Sequence, residues 1–306
     1  MARVLLRVDN VGRAVSKQRR YAMSIFPTTI LFATDGSWDS ELAATTAVGL
    51  AKITGSELHV VHVGPAVPEH FEPTEVEPVR TEQDARRVLD EQVKQIQNLV
   101  GTVAQSHLKM GGAAEEVVDL AEELGAGLLV LGSRGRGRIR RLVMGSVSDS
   151  VVRHVHCPVL VTRWKPVAFP AKILVATDGS EEATLAARTA ADLAARTGSE
   201  LHVTHVGRVL THGGHVGVDV GALPAGSQEL LDREAKELLE SQVERMRAAG
   251  ESVVGAHLMS GRADEEIIFL AEQIGADLVV MGSRGLGGVR RALVGSVSDS
   301  VVRHAH

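Results

Sequence analysis

Two loops carry the residues whose types and spacing suit chemistry, and each loop occurs twice. The first reads Ala33-Thr34-Asp35-Gly36-Ser37 and returns as Ala176-Thr177-Asp178-Gly179-Ser180. The second is Gly132-x2-Gly135-x9-Gly145-Ser146, returning as Gly282-x2-Gly285-x9-Gly295-Ser296. Glycine lets a backbone approach a ligand closely and adopt positive φ, and consecutive backbone N–H groups then cradle phosphate oxygens. Gly145-Ser146 opens a helical pattern, whose N-terminus favours an anion. Ser146 and Ser148 add hydroxyl donors, and Asp35 offers a carboxylate to ribose hydroxyls or an adenine edge. Together these features predict a site for a phosphorylated nucleoside. Plainer readings stand beside them. Ser146-x-x-Asp149 and Ser296-x-x-Asp299 also fit a variant capping box, which explains the serines but not Gly132 and Gly135. Asp35 and Asp178 also suit the start of a turn through Gly36 and Gly179.

The elements that must position these loops follow from a long internal repeat. Ile30–Ser37 and Ser56–Gly64 return 143 positions later as Ile173–Ser180 and Ser199–Gly207. Gly132–His154 returns 150 positions later, with 17 of 23 residues identical. The change of offset, 150 − 143, places a net seven-residue insertion after Gly207, expected in Leu210 to Gly226. A period of this size is that of a domain rather than a solenoid. The expected organisation is an extension (1–27), a first domain (28–163), a stiff Pro-containing linker (164–170) and a second domain (171–306). Within each copy, short apolar runs alternate with helical spacing. Strands are expected at Ile30–Thr34, Leu58–Val63, Val103–Leu108, Leu128–Leu131 and Pro158–Thr162. Helices are expected from the Asp-Gly turn to Ile53, over Thr81–Val100, along Val117–Leu124 and over Ser146–His154. This alternation implies α/β domains, each a parallel sheet with helices on both faces, whose ligands bind beyond the carboxyl ends of the strands.

Composition removes several function classes. The 306 residues are 44% apolar and 23% charged, ordinary for a folded chain. No apolar run is long enough to suggest a membrane helix. A formal charge of −5 and 3% aromatic residues argue against nucleic acid. One cysteine, Cys157, excludes a disulfide framework, fits a reducing cytoplasm and is expected to be a buried core thiol.

The G-x2-G-x9-G-[ST] pattern after a strand, with an Asp at the end of the first strand, resembles the ATP-binding branch of the universal stress protein family. Residues 28–306 as a whole are similar to a tandem member of that family. The resemblance implies a Rossmann-like (adenine nucleotide α-hydrolase-like) sheet in the order 3-2-1-4-5 in each copy, with ATP or ADP between the ends of strands one and four. It implies that Ala33, Thr34 and Asp35 face the nucleoside and that Val63 offers backbone to adenine. Gly132, Gly135, Gly145, Ser146, Val147 and Ser148 then hold ribose and phosphates. The second set is Ala176, Thr177, Asp178, Val206, Gly282, Gly285, Gly295, Ser296, Val297 and Ser298. Mg²⁺ on the phosphates, with no protein side chain as ligand, is compatible with this pattern.

Arg134, Arg136, Arg138, Arg140 and Arg141 make the first Gly-rich loop strongly basic. The second keeps Arg284, Arg290 and Arg291 but has Leu286 and Gly288 in place of two of them. Phosphate contact, including by Arg134 and Arg284, and a solvated surface are both open readings. The difference predicts unequal sites, with the first binding phosphate more strongly. Other signals carry less. His59-x2-His62 and His202-x2-His205 have metal-like spacing, but residues i and i+3 of a strand point to opposite faces. His212-Gly-Gly-His215 is a weak pair. Asp35-Gly-Ser-Trp-Asp-Ser40 lacks the rest of a pyrophosphatase loop. No Walker A sequence occurs, and no nucleophile-base-orienter set is evident.

Both ends depart from the repeat. Residues 1–22 carry six basic residues and one acid, which reads as a targeting segment or as sequence preceding a start at Met23. After His306 the second copy has no counterpart of the strand at Pro158–Thr162, so its sheet is expected to lack its last strand. The segment Ala2–Val8 is a candidate replacement, from the same chain or a neighbour. Functionally, the expectation is a regulatory, cytoplasmic, ATP-binding stress protein with one site per domain, paired domains and a further homo-oligomer. The alternatives are a slow ATPase or phosphotransferase and a nucleotide-independent scaffold.

Overall fold

The computed structural model describes residues 4–8, 26–66, 82–99, 101–135, 144–163, 170–209, 226–285 and 294–305. Residues 164–169 of the expected linker 164–170, residues 210–225 of the expected insertion Leu210 to Gly226, and Arg136, Arg138, Arg140, Arg141, His212, His215, Leu286, Gly288, Arg290 and Arg291 lie outside them, as do residues 9–25.

Strand β1 is Val4–Val8. The first copy then supplies β2 (Thr29–Thr34), α1 (Trp38–Thr54), β3 (Glu57–Gly64), α2 (Glu82–Asn98), β4 (Gln105–Met110), α3 (Ala113–Glu123), β5 (Leu128–Gly132), α4 (Ser146–His154) and β6 (Val159–Thr162). The second supplies β7 (Lys172–Ala176), α5 (Glu181–Thr197), β8 (Glu200–Gly207), α6 (Ser227–Ala248), β9 (Val253–Ser260), α7 (Ala263–Ile274), β10 (Leu278–Gly282) and α8 (Ser296–His304). These elements match the expected alternation. Helix α3 starts at Ala113, four residues before Val117, and β4 starts at Gln105 rather than Val103; Ala104 N–H instead donates to Leu58 O at 2.8 Å as the chain enters the sheet.

The ten described strands form one sheet in the order β4-β3-β2-β5-β6-β1-β10-β7-β8-β9. The first copy is the expected parallel 3-2-1-4-5 arrangement, and β9-β8-β7-β10 repeats its first four positions. Strand β1 takes the fifth position in the second copy. It runs parallel to β10, from Val4 opposite Leu278 to Val8 opposite Gly282. In the first copy β6 sits on β5 in the same way, with Thr162 opposite Gly132. The other edge of β1 pairs antiparallel with β6, Val4 opposite Thr162 and Arg7 opposite Val159. A sheet edge facing the domain interior would strand a row of N–H and C=O groups; β1 satisfies two such edges at once.

Central strands flanked on both faces should read as continuous apolar runs, and β5 (Leu-Leu-Val-Leu-Gly) and β6 (Val-Leu-Val-Thr) are buried throughout. One face of the sheet is covered by α1, α2, α5 and α6, packed through Ile30, Phe32, Leu89, Leu160, Val175 and Leu239. The other is covered by α3, α4, α7 and α8, through Leu31, Leu120, Leu129, Cys157, Leu270 and Val301. Cys157 is buried in this second layer, as expected. Each layer is one cluster that includes residues of both copies.

Helices α4 and α8 also meet through charge. Arg153 Nη2 lies 2.9 Å from Asp299 Oδ1, and Arg303 Nη2 bonds Asp149 Oδ1 in the reciprocal pair. Within each helix, Arg153 Nε reaches Asp149 at 3.4 Å and Arg303 Nε reaches Asp299 at 3.2 Å. The result is a closed ring of four charges. Such networks contribute more than isolated surface pairs, which average below about 1 kcal/mol each. Arg163, at the end of β6, is 5% exposed and donates from Nη2 to the carbonyls of Val302 (2.7 Å) and Arg303 (3.0 Å) at the end of α8. Cations suit a helix C-terminus. Burial, then the neighbouring Arg134, pull its pKa down to about 10, against Asp39, so it stays charged at neutral pH.

The histidines with metal-like spacing are cross-strand ties. His59 Nδ1 lies 3.0 Å from His107 Nε2, and His202 Nδ1 lies 3.0 Å from His257 Nε2, the rings stacked in each pair. His62 Nδ1 donates instead to Thr34 O at 2.8 Å, and His205 Nδ1 to Thr177 O at 2.8 Å. Each residue of a His-x2-His pair therefore has its own partner.

Two predictions follow from these contacts. Proline cannot donate to a ladder, so Leu6→Pro should lower Tm by at least about 5 °C and promote concentration-dependent association on gel filtration. An unchanged Tm and elution volume would show that β1 does not hold this seat in solution. In each His pair one nitrogen must donate and the other accept, so the two facing rings cannot both be protonated. Burial, then the facing His59 or His202, lowers the pKa of His107 and His257. The unfolded chain therefore binds more protons below about pH 6.5, and stability falls as pH drops through that value. Thermal melts between pH 7.5 and 5.5 should show this loss, and the double variant His107→Gln/His257→Gln should flatten it. An equal slope in both proteins would remove the pairs as its source.

Candidate functional site

The sheet order places the ends of β2 and β5 side by side, and those of β7 and β10 likewise. Both informative loops therefore leave the sheet at one place in each copy. At the first, Asp35 Oδ1 accepts from Ser37 N–H at 2.9 Å, while Ser37 N-caps α1 and its Oγ lies 3.3 Å from Arg134 O. Asp178 and Ser180 repeat the turn at 3.0 Å. The turn reading of Asp35 and Asp178 thus holds for one carboxylate oxygen. The other faces the Gly-rich loop: a Cβ added at Gly135 would collide with Asp35 Oδ2, and one added at Gly285 with Asp178 Oδ2. At Gly132 a Cβ would stand 2.7 Å from the Asp39 backbone, and at Gly282 2.9 Å from that of Glu182 and Ala183. Real Cβ contacts are not that short, and at Gly132 and Gly282 the obstacle is backbone, so those two glycines are required for the loops to meet; at Gly135 and Gly285 a carboxylate oxygen would have to turn aside.

Gly145 and Gly295 are less crowded, with Gly295 the tighter of the two. A Cβ at Gly145 would meet nothing closer than 3.5 Å, and one at Gly295 nothing closer than 3.3 Å. They are the N-caps of α4 and α8, with no side-chain cap in either helix. The capping-box reading of Ser146 and Ser296 is therefore corrected: both are first helical residues, exposed, with their N–H groups uncovered by any cap. Val147 is exposed and Val297 half-buried beside them. Ser148 and Ser298 point the other way. Ser148 Oγ donates to Gly132 O at 2.9 Å, and Ser298 Oγ to Ser283 O at 2.7 Å, tying each helix to its own Gly-rich loop.

The remaining candidates line the same strand ends. Ala33 and Val63 are half-buried at the ends of β2 and β3, with Ala176 and Val206 as counterparts. Thr34 is buried, accepts from Gly36 N–H at 3.1 Å and donates to Gln92 Oε1 at 2.9 Å, so its side chain supports the turn from below. Thr177 accepts from Gly179 N–H at 3.2 Å in the same way. Gly132, Arg134, Gly135, Gly145 and Ser146 are thus brought to one rim with Asp35, and Gly282, Arg284, Gly285, Gly295 and Ser296 with Asp178.

Sequence reasoning passed over several residues that shape this rim. Asp39 Oδ2 accepts from Ser133 Oγ at 3.0 Å and pairs with Arg134 Nε at 3.3 Å. Its signal was an acid in the first turn of the helix after the Asp-Gly loop. Gln92 and Gln242 are buried in α2 and α6, polar residues on the apolar helical face that carries Leu89 and Ile96 in the first copy. Among the described residues, no group of three or more His, Cys, Asp or Glu is placed to hold a metal ion. No described helix is long and apolar enough to cross a membrane.

Comparison with known proteins agrees with this architecture. The description "Universal stress protein family" fits residues 27–163 and again 171–306. A universal stress protein of Mycobacterium tuberculosis is 31% identical over 288 residues, spanning 90% of this chain and 94% of that protein. A second from the same organism is 29% identical over 287 residues, spanning 90% and 93%. The crystal structure of a universal stress protein from Archaeoglobus fulgidus superposes with a TM-score of 0.66 at 25% identity, covering 92% of this chain and 94% of that one. With the family pattern matched in both copies and a relative of near-equal length, the chain belongs to the universal stress protein family.

Proposed function

We propose that the protein binds an adenine nucleotide, ATP or ADP, at each of its two strand-end rims and acts as a regulatory component of a stress response. One observation carries this reading: in both copies an uncapped helix N-terminus and a glycine-lined loop face the Asp turn at the carboxyl ends of adjacent parallel strands. Uncovered N–H groups at a helix start suit phosphate, and α/β sheets bind ligands at such strand ends. In this reading Ser146, Val147, Ser296 and Val297 give backbone N–H groups to phosphates. Arg134 and Arg284 flank them, and Asp35 and Asp178 turn toward the ribose. Val63 and Val206 offer backbone to adenine, and Ala33 and Ala176 leave room for the nucleoside. Thr34, Thr177, Ser148 and Ser298 position the loops rather than touch the ligand. Mg²⁺ would ride on the phosphates. The halves act as a pseudo-twofold pair, a reading supported by the shared core layers and the charge ring. The shared family with stress proteins of similar length supports the physiological role.

The test is nucleotide stoichiometry. Purified protein, acid-extracted or titrated with ATP, should carry about two nucleotides per chain. Gly145→Glu and Gly295→Glu should each remove about one, because each places a carboxylate at a helix start that favours anions. The backbone at both positions accepts a side chain without positive φ, at −74° and −75°, so folding should persist in circular dichroism. Absence of both bound and titratable nucleotide would overturn the proposal.

A further inference from the structure

The two rims differ where sequence comparison would least suggest it, at the first turn of the helix behind the Gly-rich loop. In the first half Asp39 closes a clasp: its Oδ2 accepts from Ser133 Oγ and pairs with Arg134 Nε, and its side chain is largely buried. In the second half Glu182 stands at the equivalent position. Among the described residues its longer side chain reaches Arg284 Nη2, at 3.9 Å. Among the described residues, the two donors that Asp39 satisfies in the first half have no partner in the second: Ser283 Oγ, in a residue of 0% exposure, and Arg284 Nε are both buried and unpaired. A buried donor without an acceptor costs free energy that an incoming anion can offset.

Resting on the nucleotide reading above, we infer that Asp39 serves as a built-in anion that occupies the phosphate donors of the first site, and that the second site therefore takes the nucleotide's phosphates more tightly. The arginine-rich first loop points to the opposite ranking. Charge count, however, is not donor availability. Arg134 Nε is engaged by a carboxylate that also repels phosphate, and the nearby Arg163 spends its Nη2 on the carbonyls of Val302 and Arg303. In the second half Ser283 Oγ and Arg284 Nε, on neighbouring residues, stand unpaired among the described residues, and a phosphate oxygen supplies the acceptor they lack. The asymmetry makes the second rim the first to fill as ATP rises and reserves the first for higher concentration.

Calorimetric titration of the full chain separates the sites. Gly145→Glu leaves the second site, and Gly295→Glu leaves the first. ATP should bind the Gly145→Glu protein about ten-fold more tightly than the Gly295→Glu protein, whereas adenosine, which lacks phosphate, should bind both alike. Adding Asp39→Asn or Asp39→Ala to Gly295→Glu should tighten ATP at the first site, and adding Glu182→Asp to Gly145→Glu should weaken it at the second, with adenosine unaffected. Matching circular dichroism confirms folding of each variant. Equal or reversed ATP affinities, or a difference that persists with adenosine, would overturn the inference while leaving nucleotide binding intact. No ATP binding by the unsubstituted chain would overturn the nucleotide reading itself.

Discussion

The close approach of the Gly-rich loop to the Asp turn is the constraint on which the rest depends. At Gly132 the loop backbone lies so near that of Asp39 that a single methyl group would block the approach, and at Gly135 it lies against the Asp35 carboxylate. The second copy repeats both contacts at Gly282 and Gly285. Only a parallel sheet with β2 and β5 as neighbours delivers these loops to the same rim. Only apolar strands buried on both faces hold those neighbours in register. The helix that follows each loop must then begin at Gly145 or Gly295, with its first N–H groups turned to the space between the loops. Fold, loop chemistry and site are one requirement seen at three scales.

The halves share more than ancestry of pattern. Strand β1 satisfies the edges of both β6 and β10, so the backbone ladder runs unbroken from β4 to β9. The ring formed by Asp149, Arg153, Asp299 and Arg303 lies on the same two helices whose starts form the rims. Asp149 stands one turn from Ser146, and Asp299 one turn from Ser296. A ligand that draws on the start of α4 thus acts on a helix already held to α8. Arg163 adds a direct link, being close to Arg134 and Asp39 in the first half while capping α8 of the second.

Much of this was legible in the sequence because it is written in periodicity and in glycine. The repeat revealed two units, the uninterrupted apolar run at Leu128–Leu131 announced a doubly covered strand, and Ser146–His154 emerged as the helix expected. The seat of Val4–Val8 was within reach because the run Ala2–Val8 resembles Pro158–Thr162, but its pairing with β6 as well as β10 needed the third dimension. Side-chain partners were the least legible part. Ser146 looked like a cap, yet Gly145 takes that position and Ser148 turns back to Gly132. The clasp at Asp39 was invisible because its partners, Ser133 and Arg134, lie 94 and 95 residues away. The difference of one methylene between Asp39 and Glu182 has no weight in a pattern, yet among the described residues Ser283 Oγ and Arg284 Nε lack the acceptor that Ser133 and Arg134 find in Asp39.

Amide hydrogen exchange of the full chain, with and without ATP, tests the central claim most directly. Binding at the paired loops predicts slower exchange in Ala33–Ser37, Gly132–Gly135 and Gly145–Ser148, and in Ala176–Ser180, Gly282–Gly285 and Gly295–Ser298, with the outer edges at β4 and β9 unchanged. ATP-dependent protection confined to other segments, or none at saturating ATP, would contradict the assignment of these rims as the nucleotide sites.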